Sequence, residues 1–421
     1  MNTKRTVLAR KLRVLMWLLM VFGALPPCRA QAGLSLRDAI DRALASRASL
    51  KAEAEEISVA RGLKNQAGLF ANPTFQFENQ NLRPGQTYTT DVDTYAFLTQ
   101  PLDVLGKRKH RIALAQQEVN TSAAEYDLAR RQIIQNVQLA YWSARGAQEA
   151  RELLQASVQN FQKIVDYHSS QLSVGAISEQ DFLRVRLEGE RLNIAANLAV
   201  IQANKTRVQL LREMGQTNFT ELILTEPLDA GQNPLDSQTI EQVLAQRVEM
   251  KVAKAALEQA QAKAKLEEVS ARPDLNILYG YKRTQLVDTT SGTNTALAGI
   301  QITLPITDRN QGNRAAATAE VQKQQDLLLA TQATVLADYY GALQEYQLRR
   351  SEVANTLQPL REHAADISAI AQAAYQQGGT DLLRLLDAER ASIDGQMAWV
   401  EGMVEYQKSV VSLLTAEGVD Q

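Results

Sequence analysis

Two periodicities alternate along the chain, and each returns after about half its length. The first is period two. In "TFQFENQNL" Phe75 and Phe77 alternate with Gln76 and Glu78, and in "VDTYAFLTQ" Tyr95 and Phe97 share a face. In "LNILYGYKR" Leu275, Ile277, Tyr279 and Tyr281 share a face, as do Ala298, Ile300, Ile302 and Leu304 in "TALAGIQITL". One apolar face at period two predicts strands, here over 74–82, 92–100, 274–283 and 295–304. The connections "RPGQTYTTD" and "LVDTTSGTN" are polar and turn-rich, so the strands form two hairpins.

The second periodicity is helical. Helices are expected over 34–70 and 237–270, each stopped by a proline (Pro73, Pro273), because the residue before proline avoids helix. Residues 106–172 hold no proline and one internal glycine, Gly146. Such a helix is on the order of 100 Å long. Residues 313–376 repeat this, with Pro359 as the expected kink. Apolar seams (Val158, Phe161, Val165, Leu172; Leu360, Ala364, Ile367, Ala371, Ala374) predict coiled-coil packing. Glycine turns at Gly175 and Gly378–Gly379 precede return helices over 179–214 and 381–415.

The halves also match residue by residue. Comparing 39–52 with 239–252, Ile40/Ile240, Leu44/Leu244, Ala45/Ala245, Arg47/Arg247 and Lys51/Lys251 are identical. "VGAISEQDFLR" and "QGGTDLLRLLD" correspond in the same way. This agreement predicts a duplicated unit: 33–215 and 237–415, joined by a linker over 216–236 and followed by a tail over 416–421.

The N-terminus stands apart. Residues 1–32 carry six basic side chains (Lys4, Arg5, Arg10, Lys11, Arg13, Arg29) and no acid, with an apolar run from Val14 to Leu25. This reads as a signal peptide, cleaved after Ala30 or Ala32. A membrane anchor is the alternative, though the run is short for a spanning helix. Cys28, the single cysteine, is a candidate for lipidation, although Pro27 is unlike the small residue that processing expects. No disulfide is expected. Beyond residue 32 the chain holds 39 of its 45 basic residues against all 47 acidic ones, a balance that excludes nucleic acid as a partner.

Strands of about ten residues suit a tilted membrane β-strand. Four strands cannot close a barrel, and open edges in lipid cost several kcal/mol per unsatisfied group. Membrane hairpins therefore require oligomerisation. The alternative is a soluble periplasmic coiled-coil scaffold with small β caps.

These features, with "QAGLFANPTFQFE" and "QPLDVLGKRKHRI", resemble the TolC-like outer-membrane efflux proteins over essentially the whole mature chain. Gln100–Arg108 is similar to the branch serving cobalt–zinc–cadmium and related heavy-metal resistance. The resemblance implies a mainly α fold with a membrane β-barrel. Two repeats of helix–hairpin–long helix–return helix would trimerise into a twelve-stranded barrel on a periplasmic α-helical barrel, with 216–236 at its equator. It implies an outer-membrane exit channel, with a periplasmic adaptor, an inner-membrane resistance-nodulation-division pump and outer-membrane lipid as partners. The cargo would be heavy-metal cations, or alternatively drugs, solvents or secreted peptides. It also implies that the turns Val174, Gly175, Ala176, Ile177 and Gln377, Gly378, Gly379, Thr380 meet the adaptor. Asp387 matches a gate aspartate, Arg384 stands where a second would be, and Asp181 holds the equivalent place in the first half. An Asp181–Arg384 pair between neighbouring tips is the expected closure.

Other candidates carry less. "GKRKHR" (106–111) reads either as a phosphate or lipid-headgroup contact or as a solvated helix start, cations being unfavourable in a first turn. His110, His168 and His363 are far apart, and no CxxC or HxxxH spacing occurs, so no metal site is expected. His168 continues the Val158–Phe161–Val165 seam and reads as a packed interhelical residue. No phosphate loop or nucleophile motif is present. Neither enzyme activity nor a cofactor is expected.

Overall fold

A computed structural model describes residues 33–82, 84, 92–229, 238–285 and 292–419. The expected signal peptide and Cys28 lie outside the described residues.

The chain enters through α1 (Leu36–Ser46), capped by Ser35, whose hydroxyl accepts the Asp38 N–H at 3.1 Å. The expected helix over 34–70 is two helices. Arg47 is extended (φ −67°, ψ 116°), and α2 (Ala48–Ala67) starts after it. The second half breaks the same way. Helix α5 (Ile240–Gln246) begins at a Thr239/Gln242 capping box, Arg247 is extended, and α6 (Val248–Ser270) follows. Both arginines clamp the end of a return helix. Arg47 Nη1 donates to Glu213 O at 2.7 Å, and Arg247 Nη1 to Ala416 O at 3.2 Å. Carbonyls at a helix C-terminus lack intrahelical donors and favour cations.

Four strands make one antiparallel sheet in the order β1 (Thr74–Gln80), β2 (Asp93–Leu102), β3 (Asp274–Gln285), β4 (Gly292–Thr303). The register pairs Phe75 with Leu98, Leu98 with Tyr279, and Tyr279 with Ala298. Opposed side chains share a face. One face is therefore apolar, with Phe75, Phe77, Ala96, Leu98, Ile277, Tyr279, Tyr281, Ile300 and Ile302. Tyr95 and Phe97 do share a face, but it is the other, polar one, beside Gln76, Glu78 and Lys282. Phe97 lies opposite Gly280, where a Cβ would collide with Phe97 and the Ala96 carbonyl. Within one chain, β1 and β4 each keep one unpaired edge.

The helices leave the sheet through stapled junctions. At Gly106 (φ +83°) the chain turns into α3 (Lys107–Ser173), an uninterrupted 67-residue helix. Arg108 Nε donates to Gly68 O at 2.6 Å, and Arg111 Nε to Ala67 O at 3.1 Å, so both satisfy the C-terminal carbonyls of α2. Lys107 pairs with Asp274 at 2.7 Å, and Arg272 donates to Leu105 O at 2.7 Å. "GKRKHR" is thus more than a solvated start: three of its cations bind neighbouring elements.

Helix α4 (Glu179–Glu213) returns from α3. In the second half α7 (Gln311–Glu352) passes through a π-helical turn, Val353–Leu357, into α8 (Gln358–Gln376), and α9 (Leu382–Glu417) returns. The kink expected at Pro359 is this wide turn just before it. Proline has no N–H and crowds the carbonyl four residues back, and widening the turn relieves both.

The main core lies at mid-height, where α3 and α9 pack with α1, α7 and the segment after α4. Tyr141, Val137, Leu34, Met214, Met403 and Leu413 are buried in it. The Tyr141 hydroxyl donates to Leu34 O at 2.8 Å, and Leu34 bridges in parallel to Leu224. A smaller cluster (Leu154, Phe161, Val185, Leu192, Ala196, Leu386) fills the lower hairpins.

Candidate functional site

The two helical turns farthest from the sheet close with the same hydrogen bonds. Gly175 N donates to Leu172 O at 3.0 Å and Ala176 N to Gln171 O at 2.9 Å. Gly378 N donates to Tyr375 O at 3.0 Å and Gly379 N to Ala374 O at 2.8 Å. Gly175 and Gly378 are both left-handed at φ +73°, the conformation glycine adopts at a helix end. Val174 is 77% exposed and the Gly175 and Gly378 backbones face open space. Both turns are therefore free for contact.

Each returning helix is capped from its turn. Ser178 Oγ accepts Asp181 N at 3.1 Å and donates to Asp181 Oδ2 at 2.8 Å. Asp381 Oδ1 accepts Arg384 N at 2.9 Å. Within one chain Asp181 and Arg384 do not pair. Asp181 lies 4.0 Å from Arg184, and Arg384, 80% exposed, lies 3.9 Å from Asp381. Asp387 is exposed one turn further along α9.

A different residue ties the hairpins together. His168 on α3 is fully buried. Its Nδ1 is 2.7 Å from Ile164 O, and its Nε2 is 2.9 Å from the Tyr375 hydroxyl on α8. A carbonyl only accepts, so Nδ1 carries the proton and, in the neutral ring, Nε2 accepts from Tyr375. Tyr167 packs edge-on against the imidazole at 5.3 Å. Burial pushes the Tyr375 phenol above its ordinary value, helped by Tyr167 and Asp181. The hairpins meet again where Arg390 Nη2 pairs with Glu188 at 2.7 Å. The sequence marked His168 as an interhelical residue. Its partner, 207 positions away, left no local signal.

Above the first turn a groove of about 350 Å³ opens between α3 and α4. Phe161, Val165, Phe182 and Leu192 line it, with Asp166, Arg186 and Glu190 among its polar residues. Among the described residues no three His, Cys, Asp or Glu side chains gather as a metal site, and no helix is long and apolar enough to cross a membrane. The sheet carries an exposed apolar face, with Phe75, Phe77, Tyr279, Ile300 and Ile302 all exposed.

A sheet apolar on one face and unclosed at both edges, continued by helices on the order of 100 Å long, defines a class. It is a channel-type membrane protein with a long helical extension. The model of the family described as "Outer membrane efflux protein" matches residues 39–216 and 239–419, and the chain belongs to that family. It is an outer-membrane protein with a long periplasmic helical extension. It is 26% identical over 380 residues to the cobalt-zinc-cadmium resistance protein CzcC of Cupriavidus metallidurans, covering 89% of this chain and 87% of that protein. It is 21% identical over 349 residues to the cation efflux system protein CusC of Escherichia coli K12, covering 80% and 75%. The solved open state of the MtrE outer membrane channel of Neisseria gonorrhoeae aligns with TM-score 0.75 and 22% identity, over 91% of this chain and 89% of that one.

Proposed function

We propose that three copies of this chain form the exit duct of a tripartite heavy-metal efflux system. The observation that carries this is the pair of unpaired sheet edges. In lipid those edges must be satisfied, and β1 of one copy pairing with β4 of the next does so. Three copies give a twelve-stranded barrel, with the apolar face outward and the polar face lining the bore. The helices continue it as a periplasmic tube. The duplicated units 33–215 and 237–415 supply equivalent staves, with 216–236 at the equator, residues 1–32 as the removed signal peptide and 416–421 as the tail.

The chain conducts passively, and force comes from an inner-membrane resistance-nodulation-division pump through a periplasmic adaptor. The adaptor docks on Val174–Ile177 and Gln377–Thr380, the two free turns. Asp181, Arg384 and Asp387 guard the entrance, Asp181 of one copy pairing with Arg384 of the next. The cargo reading, heavy-metal cations, is supported by the names of CzcC, a cobalt-zinc-cadmium resistance protein, and CusC, a cation efflux system protein.

Deleting the gene in its host and comparing growth on Co, Zn, Cd, Cu and Ni salts with growth on dyes and antibiotics tests the cargo. Selective metal sensitivity, restored by the wild-type gene, is expected. Sensitivity to organic compounds alone removes the metal assignment. Arg384→Asp should raise the conductance of the resting channel in planar bilayers, and unchanged closure removes the pairing.

A further inference from the structure

The first junction between sheet and helices carries apolar groups and cations in a fixed order. Below the apolar face of the sheet lie exposed Leu69, Phe70 and Val104, with Phe70 67% exposed. Cations come next. Over 103–111 the chain carries Lys107, Arg108, Lys109 and Arg111 against Asp103, with Asp274 of β3 pairing Lys107. The matching segment of the second half, 304–314, offers Arg309 and Arg314 against Asp308, and Glu267 of α6 bonds Asn310 beside it. The excess of positive charge is confined to the first junction.

Arg108 sits at the boundary between the two zones. Its guanidinium carbon lies 4.2 Å over the Phe70 ring, and Nε is held by Gly68 O. Its two terminal nitrogens make no hydrogen bond among the described residues, and neither does the exposed Lys109 side chain. A guanidinium pinned over an exposed ring is thus followed, at the next helical position, by an exposed ammonium. Apolar groups followed by unpaired cations mirror the sequence of acyl chain and phosphate in a lipid leaflet.

We propose that this junction binds anionic phospholipids of the periplasmic leaflet, with Arg108 and Lys109 contacting the phosphate and Leu69, Phe70 and Val104 the acyl chains. The inference rests on the outer-membrane placement of the sheet. Each cation near an anionic surface contributes about 1 kcal/mol, so two give roughly a tenfold preference or more.

The test uses the full-length assembled protein in nanodiscs of phosphatidylglycerol mixed with phosphatidylcholine. Co-purifying lipid is counted by native mass spectrometry after transfer to detergent. Wild type should retain phosphatidylglycerol over phosphatidylcholine by roughly tenfold, unmoved by millimolar inorganic phosphate. Lys109→Glu touches no protein partner, so it should fold normally and lose most of the preference, whereas Lys109→Arg should keep it. Arg108→Gln with Lys109→Gln should abolish it. Equal retention of both lipids, or an unchanged preference in Lys109→Glu and the double variant, overturns the proposal. So does displacement by inorganic phosphate, which marks a small-anion site. Failure of the membrane placement looks different, because the protein would then not enter the nanodiscs at all.

Discussion

The hairpin of α3 and α4 and the hairpin of α8 and α9 turn with the same hydrogen bonds and cap with the same side-chain logic, yet their bodies differ. Helix α3 runs 67 residues without a break and buries fourteen of them, from Ala115 to His168. Helix α8 is 19 residues long, follows a π-helical turn, and buries only Ala364. Glycines bring α9 against it: Gly395 faces Ala364 and Leu360, and Gly402 faces Leu357. Arg361 lies 4.1 Å over Trp399 across the same contact. A continuous helix set in a core moves as a rod. A short helix after a wide turn, resting on a glycine face, has fewer contacts to lose when it shifts. Two segments of like order can thus differ in mobility through packing alone.

The largest expected effect tests the rigid side. Gly146→Leu puts a side chain into the space held by Val404. It should cost up to about 3 kcal/mol by overpacking, read by thermal unfolding. Gly395→Leu, against the looser α8, should cost less, about 1 kcal/mol. Equal losses would erase the distinction between the hairpins.

Next is the clasp between them. Tyr375→Phe leaves the buried His168 Nε2 without its donor and should cost about 1–2 kcal/mol. Hydrogen exchange should quicken in α8 and hardly change in α3. Faster exchange in α3 instead would reverse the assignment of stiffness.

The far ends of the return helices give a comparison of opposite sign. Burial raises the Glu213 carboxyl, but hydrogen bonds from Arg47 and Arg212 outweigh it and hold it below the ordinary value. Glu417 is raised by burial, only partly offset by the Gln238 backbone, and its Oε1 has no partner. A lowered carboxylate stabilises above its unfolded pKa, and that gain is lost as pH falls through the folded value. A raised one costs stability as pH climbs above the unfolded value of 4.5. At neutral pH Glu213→Gln should therefore destabilise and Glu417→Gln stabilise, each by about 1 kcal/mol. Both differences should fade in acid, and unfolding midpoints across pH would show it. Like signs would contradict these environments.

The smallest effect is the exposed Arg390–Glu188 pair. A double-mutant cycle should give a coupling of ~0–1 kcal/mol, vanishing at high salt. A larger, salt-resistant coupling would mean that this pair, rather than His168 and Tyr375, holds the hairpins together.

The element types were legible because period two and the 3–4 apolar spacing are local properties of the chain. The strand expected over 92–100 and the helix expected over 106–172 lie within two residues of those found. The breaks at Arg47 and Arg247 were not legible, since the apolar pattern continues through both. The identity of these arginines was visible, but their task depends on Glu213 and Ala416, more than 160 positions away. The side taken by Tyr95 and Phe97 was hidden for a related reason. Alternation shows that two residues share a face, and only the register with β1 and β3 says which. At the turns, the sequence located the glycines and the caps. It could not reveal that Asp181 and Arg384 are held locally within one chain.

The length of α3 makes it a lever. Over a span on the order of 100 Å, one degree of tilt at Gly106 displaces the far turn by nearly 2 Å. That is enough to make or lose a hydrogen bond at the His168–Tyr375 clasp. The angle at which the helix leaves the sheet must be held to a fraction of a degree if the entrance is to be placed to within an ångström. The bonds from Lys107, Arg108, Arg111 and Arg272 fix that angle at the sheet, and the mid-height core holds the helix to it.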